Sequence, residues 1–157
     1  MARQDAPEIR PIIPALAGLE SALRPFGVPL IRIAAGLMLM PHGAQKLFGA
    51  FGGRGLEATA QGFAKMGLEP ALPLALLAGG TELFGGLLLA IGFLTRASAV
   101  AVGILMLVAI FQVHWPNGFF ATRGGYEFAL LWGVVAAGFA MRGGGRYSVD
   151  AALGREL

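Results

Sequence analysis

Four long stretches of the chain are almost free of charged residues, and short polar segments separate them. These stretches cover about residues 29–48, 72–94, 97–114 and 126–141. At about 1.5 Å rise per residue, an apolar helix of about 20 residues crosses the roughly 30 Å hydrocarbon core of a bilayer. The pattern therefore predicts an all-α protein built as an antiparallel four-helix transmembrane bundle with short connections.

The segments outside these spans carry weaker patterns. Residues 1–13 are polar and proline-containing, and we expect an extended tail there. Residues 14–24 place three leucines on one face, which is typical of a short amphipathic helix lying in the membrane interface; an extension of the first span is the alternative. Residues 56–66 favour another short helix. All of these segments belong to a single membrane domain over residues 1–157.

Composition agrees with a membrane protein and excludes several functional classes. The 157 residues are 56% hydrophobic and 13% charged, whereas soluble domains have about 25% charged residues. The basic residues are spread through the loops and form no patch, which argues against nucleic acid as a partner. The absence of cysteine excludes disulfides, thiol catalysis, iron–sulfur ligation and cysteine-type zinc sites.

The distribution of arginine and lysine predicts the orientation. With four spans, both termini and the turn between spans two and three lie on one side of the membrane. That side carries Arg3, Arg10, Arg24, Arg96, Arg142, Arg146 and Arg155, and the other carries Arg54, Lys65 and Arg123. Because basic loops stay in the cytoplasm, the sequence predicts cytoplasmic termini.

The second span contains one charged residue, Glu82, near its middle. A carboxylate at the midplane of a membrane costs a few kcal/mol unless it is paired or protonated. We therefore expect Glu82 to face a polar pocket inside the bundle rather than lipid.

The first span contains Arg32, His42 and Lys46. At about 100° per residue the three fall within a sector of roughly 80°. Arg32 lies roughly 9 Å to the cytoplasmic side of the span centre, and His42 and Lys46 lie roughly 6 and 12 Å to the outer side. This spacing predicts that His42 and Lys46 face inward together.

Further polar residues lie at the outer ends of spans three and four. His114 ends the third span, and Tyr126 and Glu127 begin the fourth. The sequence therefore predicts a pocket in the outer half of the bundle, in which these side chains join those of the first span above Glu82.

Each of these residues also has a purely structural interpretation. Arg32 can extend to the cytoplasmic surface or pair with Glu82, and Lys46 can extend to the outer surface. His114 and Glu127 can be ordinary interfacial residues, and Tyr126 fits an interfacial belt of aromatic side chains.

The ordered set of motifs resembles the DoxX family of small bacterial membrane proteins. The motifs are Arg32-x-x-x-Gly36, His42-Gly43-x-x-Lys46-Leu47-Phe48-Gly49, Glu82 with Gly86-Leu87-Leu88-Leu89-Ala90-x-Gly92, Arg96, His114, Tyr126-Glu127 and Gly145-Arg146-Tyr147-Ser148-Val149-Asp150. The resemblance implies a four-helix protein of the bacterial inner membrane. Relatives are linked to quinol oxidase, to thiosulfate–quinone oxidoreduction and to oxidative-stress complexes, so the resemblance implies fold better than activity.

The first functional hypothesis is redox chemistry with a quinone. His42, His114 or Lys46 would donate a hydrogen bond to a carbonyl oxygen, and Glu82 or Glu127 would relay protons. Two histidines without a matching cysteine or methionine pattern favour neither haem nor an iron–sulfur cluster, and we predict no metal site. The electrons would then come from a partner subunit.

Two other hypotheses remain open from the sequence. The chain can be a non-enzymatic structural or assembly subunit of a larger membrane complex, with its charges forming an internal network that fixes helix register. Transport of a small solute is less favoured, because the chain shows no inverted repeat or paired broken helices.

Overall fold

The computed structural model describes residues 12–156, and the regular structure within that range is entirely helical, as predicted. Most of the predicted extended tail, residues 1–11, lies outside the described residues. The α-helices are α1 (Ala17–Leu23), α2 (Gly27–Phe48), α3 (Gly55–Lys65), α4 (Ala71–Gly80), α5 (Gly86–Ile91), α6 (Thr95–Val108), α7 (Glu127–Arg142) and α8 (Val149–Leu153). Short 3₁₀ and π-helical turns join several of them.

Three continuous helical stretches are long and apolar enough to cross a membrane. They are Pro14–Phe48, Ala71–Ile91 and Thr95–Asn117, with 35, 21 and 23 residues. The fourth predicted span corresponds to α7, which has 16 residues. Helical structure runs without a break from α1 into α2, and the leucines of α1 are exposed.

The second membrane helix contains a π-helical turn and ends earlier than predicted. Thr81–Gly85 forms this turn between α4 and α5, which run on without interruption at either side. The helix ends at Ile91 rather than near residue 94, because Gly92 adopts a left-handed φ of 72°. A side chain at Gly92 would meet Arg32 and Ser148, so glycine is required at this turn.

Glycines bring the first two membrane helices into close contact. Gly36 of α2 packs on the backbone of Gly86, and a Cβ atom placed on Gly43 would lie 2.5 Å from the carbonyl oxygen of Gly79. These contacts pair the start of α2 with α5 and its end with α4, so the two helices run antiparallel. Small residues give membrane helices this close packing without a hydrophobic driving force.

The remaining long helices, α6 and α7, form the main apolar core. The side chains of Val102 and Met106 are buried there beside Ala136 and Phe139. Arg96, at the start of α6, donates hydrogen bonds to the carbonyl oxygens of Ala140 and Met141, at 2.9 and 2.7 Å. The start of α6 therefore lies beside the end of α7, and these two helices are also antiparallel.

Candidate functional site

Lys46 and Glu82 form an ion pair between the first two membrane helices. Lys46 Nζ donates to both carboxylate oxygens of Glu82, at 2.7 and 2.6 Å. The Glu82 side chain is 9% exposed, whereas that of Lys46 is 29% exposed. One charge is therefore enclosed, and the other reaches the molecular surface.

The π-helical turn positions the carboxylate of this pair. Glu82 is the second residue of Thr81–Gly85, where the backbone is wider than in an α-helix. Such turns are rare and occur frequently at functional sites. Close packing of Gly43 on Gly79, one turn before each charged residue, brings the two helices near enough for the pair to form.

An open cleft of about 440 Å³ lies beside Lys46. The segment after α2 and helix α3 form its walls. Thr59 Oγ1 in α3 donates to the carbonyl oxygen of Gly55 at 2.7 Å and lies 3.3 Å from the carbonyl oxygen of Lys46. The lining residues are Gln45, Lys46, Gly52, Gly53, Arg54, Ala58, Thr59, Gly62, Phe63 and Met66. The cleft thus combines two basic side chains with an apolar wall, and Glu82 lies behind Lys46.

The inward orientation predicted for His42 is wrong, because its side chain is exposed on the surface of the chain. The reason is geometric: Gly43 marks the face of α2 that contacts α4, and His42 lies about 100° from it around the helix, whereas Lys46 lies about 60° away. The sector of α2 that the sequence predicts to face inward is therefore wider than the face of α2 that contacts α4.

His114, Tyr126 and Glu127 are held in a local loop network. His114 Nδ1 lies 2.7 Å from the carbonyl oxygen of Gly124, and Glu127 Oε2 accepts a hydrogen bond from the backbone amide of Ala121 at 2.9 Å. The ring of Tyr126 stacks on Trp115 at 5.2 Å. Among the hydrogen bonds of residues 12–156, none joins this network to the Lys46–Glu82 pair.

Arg32 lies at the opposite end of α2, and the structure does not place it beside Glu82. It is 2% exposed, and its guanidinium donates to the carbonyl oxygens of Gly144 and Tyr147. The reason is distance, because Arg32 lies 14 positions before Lys46, which is about 21 Å along a helix. Arg32 reaches the chain segment after α7 instead.

Asp150 completes this second polar region, which the sequence analysis did not identify as a site. Its carboxylate accepts hydrogen bonds from the amides of Leu94 and Thr95 and from Thr95 Oγ1, at 2.8, 2.9 and 2.7 Å. It thereby caps the start of α6. Arg32, Thr95 and Asp150, with the backbone groups they bind, are called the arginine–aspartate cluster below.

The pKa of Asp150 reflects this environment. Burial acts to raise the pKa, but hydrogen bonds from Thr95 and Leu94, with the charge of Arg32, hold the pKa below the usual value for an aspartate. Asp150 is therefore ionised at neutral pH.

A signal for the arginine–aspartate cluster was present in the sequence. Ser148 precedes α8 and accepts a hydrogen bond from the amide of Ala151, which is an ordinary helix N-cap. A capped turn with one aspartate indicates an ordered segment rather than a solvated tail. For metals, residues 12–156 contain no group of three His, Cys, Asp or Glu side chains that could hold an ion.

Comparison with known proteins identifies a family over the region that holds the ion pair. Residues 27–115 match the family model described as DoxX, and this range includes Arg32, His42, Lys46, Glu82 and His114. The sequence resemblance is therefore confirmed. No solved structure matches the chain significantly.

Three bacterial relatives are similar to this chain. An uncharacterized protein of Haemophilus influenzae is 29% identical over 134 residues, which cover 81% of this chain and 90% of that protein. A second one from the same organism is 35% identical over 71 residues, or 45% and 47% of the two chains. A Bacillus subtilis protein named "Putative oxidoreductase CatD" is 29% identical over 124 residues, or 79% and 84%.

Proposed function

This chain belongs to the DoxX family, and we propose that it is a redox-linked subunit of the bacterial inner membrane that binds a quinone. The observation that carries the proposal is the Lys46–Glu82 pair, in which a buried carboxylate lies behind a partly exposed ammonium group at an open cleft. The name of the Bacillus subtilis relative supports an oxidoreductase context.

The proposed topology is an antiparallel bundle of four spans in one membrane domain, with both termini in the cytoplasm. Three long apolar helices support it, and α7 packs against α6 as the fourth. Because the chain has no cysteine, single substitutions Arg123→Cys and Arg146→Cys can be labelled in intact cells. A membrane-impermeant thiol reagent is expected to label the first and spare the second; the reverse pattern would reject the orientation.

The cleft beside Lys46 offers what a quinone needs. A quinone ring requires apolar walls, which Phe63 and Met66 supply, and its carbonyl oxygen requires a hydrogen-bond donor. Lys46 Nζ has three donors and uses two on Glu82, so it can donate a third to a carbonyl at the cleft.

Glu82 is the proposed proton carrier of the site. Reducing a quinone to a quinol takes two electrons and two protons. The ammonium of Lys46 would give one proton to a reduced oxygen and recover it from water through the carboxylate of Glu82, and water in the open cleft would supply the second proton. A partner subunit of the same membrane complex would supply the electrons, as the cysteine-free sequence suggests.

Binding of decylubiquinone to the purified protein tests the proposal. We expect Lys46→Met and Glu82→Gln to weaken binding about tenfold or more, since each removes one member of the pair. Lys65→Met is the matched control, because Lys65 is an exposed lysine at the end of α3 outside the cleft. Equal affinities in all four proteins would reject the pair as the quinone site.

The second candidate function is structural. The Lys46–Glu82 pair joins α2 to the second membrane helix, and a buried pair between helices can fix their register without any ligand. The chain would then serve assembly of a larger complex. Co-purification distinguishes the two, because loss of the partner subunits in Glu82→Gln with unchanged decylubiquinone affinity favours the structural role.

A further inference from the structure

A second cleft, of about 380 Å³, lies at the C-terminal end of the molecule. Arginines from three different segments line it: Arg142 ends α7, Arg146 lies in the following loop, and Arg155 follows α8. All three side chains are exposed. The fold therefore concentrates three positive charges that the sequence keeps up to 13 positions apart.

The two carboxylates that also line this cleft are already engaged. Asp150 accepts three hydrogen bonds from Leu94 and Thr95. Glu156 accepts from Arg96 Nη2 and from the amide of Gly144, both at 3.0 Å. Arg96 lies outside the cleft lining, so its charge balances Glu156 without using a cleft arginine.

The three cleft arginines thus have no carboxylate partner among residues 12–156. Like charges around one cleft repel each other, and an anion placed between them relieves that repulsion. Guanidinium groups bind phosphate oxygens in a planar, two-pronged geometry, which makes arginine suited to phosphate recognition.

The surroundings of the cleft resemble a membrane boundary. Met141, next to Arg142, is 76% exposed at the end of an apolar helix. The ring of Tyr147 stacks on Phe26 at 5.4 Å, and Arg146 lies 5.5 Å from the Tyr147 ring centre. Exposed aromatic and apolar side chains beside basic ones are typical of the level of lipid headgroups.

From these contacts we propose that the C-terminal cleft binds the phosphate of an anionic phospholipid headgroup. Basic pockets at the cytoplasmic ends of membrane helices are suited to such lipids. The cleft lies at the far end of α2 from Lys46, so this site is independent of the proposed quinone site.

Native mass spectrometry of the detergent-purified chain tests the proposal. We expect phosphatidylglycerol to bind more tightly than zwitterionic phosphatidylcholine. The double variant Arg146→Gln/Arg155→Gln is expected to lose roughly fivefold in phosphatidylglycerol affinity for each arginine, and so roughly 25-fold, with phosphatidylcholine binding unchanged. Both side chains are exposed, so the variant keeps its fold.

A matched control removes the same number of charges elsewhere. Lys65→Gln/Arg123→Gln changes two exposed basic residues outside the cleft and is expected to leave phosphatidylglycerol affinity unchanged. Equal losses in the two double variants, or equal affinity of the unmodified chain for both lipids, would overturn the proposal. Displacement of the lipid by millimolar inorganic phosphate would also overturn it, because the site would then belong to a soluble anion.

Discussion

The arginine–aspartate cluster and the Lys46–Glu82 pair are two groups of charged side chains with different surroundings. In the cluster, the charged atoms of Arg32 and Asp150 bind mostly backbone groups from two separate segments. In the pair, the two side chains bind each other, and Lys46 borders an open cleft. The first arrangement holds the chain together, whereas the second leaves a charge available to a ligand.

Burial alone therefore does not identify a functional site in this protein. Arg32 is more deeply buried than Lys46, yet its hydrogen bonds connect α2 to the segment after α7. What distinguishes the pair is access, since one member reaches a cleft. Substitutions in the cluster are therefore expected to change stability, and those in the pair to change binding.

The largest expected effect is that of Arg32→Ala. It leaves the carbonyl groups of Gly144 and Tyr147 without their donor and Asp150 without a nearby cation. We expect a loss of about 3 kcal/mol in the free energy of unfolding, measured in mixed micelles. Arg123→Ala is the control, because Arg123 is exposed. Equal losses in the two variants would show that the buried hydrogen bonds of Arg32 do not stabilise the fold.

A smaller effect is expected from Gly43→Ala, which acts on the pair through helix packing. The added Cβ would lie 2.5 Å from the Gly79 carbonyl oxygen and push α2 away from α4. We expect a loss of about 2 kcal/mol and weaker quinone binding, because Lys46 and Glu82 separate. Gly80→Ala is the control, since its Cβ position is open; a loss of the same size there would contradict the packing argument.

The lowered pKa of Asp150 predicts that the stability of the folded chain falls at acid pH. Its pKa is lowered in the folded chain, so its contribution to stability is fully present above the unfolded-state pKa of about 3.9 and is lost as the pH falls through the folded-state pKa. Asp150→Asn is expected to lower stability at pH 7 by about 1.5 kcal/mol.

Melting temperatures between pH 7 and pH 3 provide the measurement for Asp150. The difference between the unmodified chain and Asp150→Asn is expected to shrink below about pH 4, because the aspartate takes up a proton in the unfolded chain there while it is still ionised in the folded chain. A difference that stays constant through this range would show that the charge of Asp150 does not stabilise the cap of α6.

The smallest effect on stability is expected from Glu82→Gln. Glutamine keeps the shape of the side chain and its carbonyl oxygen can still accept a hydrogen bond from Lys46, whose ammonium group is partly exposed to solvent. We expect a change below about 1 kcal/mol in the free energy of unfolding. A loss of unfolding free energy as large as that of Arg32→Ala would show that the Lys46–Glu82 pair, like the arginine–aspartate cluster, serves to stabilise the fold.

The sequence predicted the helices because apolar runs of membrane length have few alternatives. The starts of α2, α4, α6 and α7 fall within two residues of the predicted spans. The sequence predicted Glu82 as a site residue because a charge at the membrane midplane cannot reach water. The position of Lys46 along the first span predicted that it lies in the outer half of the same bundle.

What the sequence analysis missed depends on contacts between distant segments. The direction in which the His42 side chain points depends on which glycines of α2 contact α4. A helical wheel gives the angles between residues of α2, but it does not show which face of α2 contacts the neighbouring helix. The role of Asp150 depends on a segment more than 50 positions after Thr95 folding back onto it. The π-helical turn at Glu82 likewise has no pattern of its own in the sequence.

The reach of Arg32 across the chain has a consequence for how the protein is made. The acceptor carbonyl of Gly144 lies 112 positions later in the sequence. A ribosome adds about 5–20 residues per second, so roughly 5–20 s pass between the synthesis of Arg32 and that of Gly144. Arg32 therefore lacks these hydrogen-bond acceptors when α2 is synthesised. Its hydrogen bonds to the segment after α7 form among the last steps of biosynthesis.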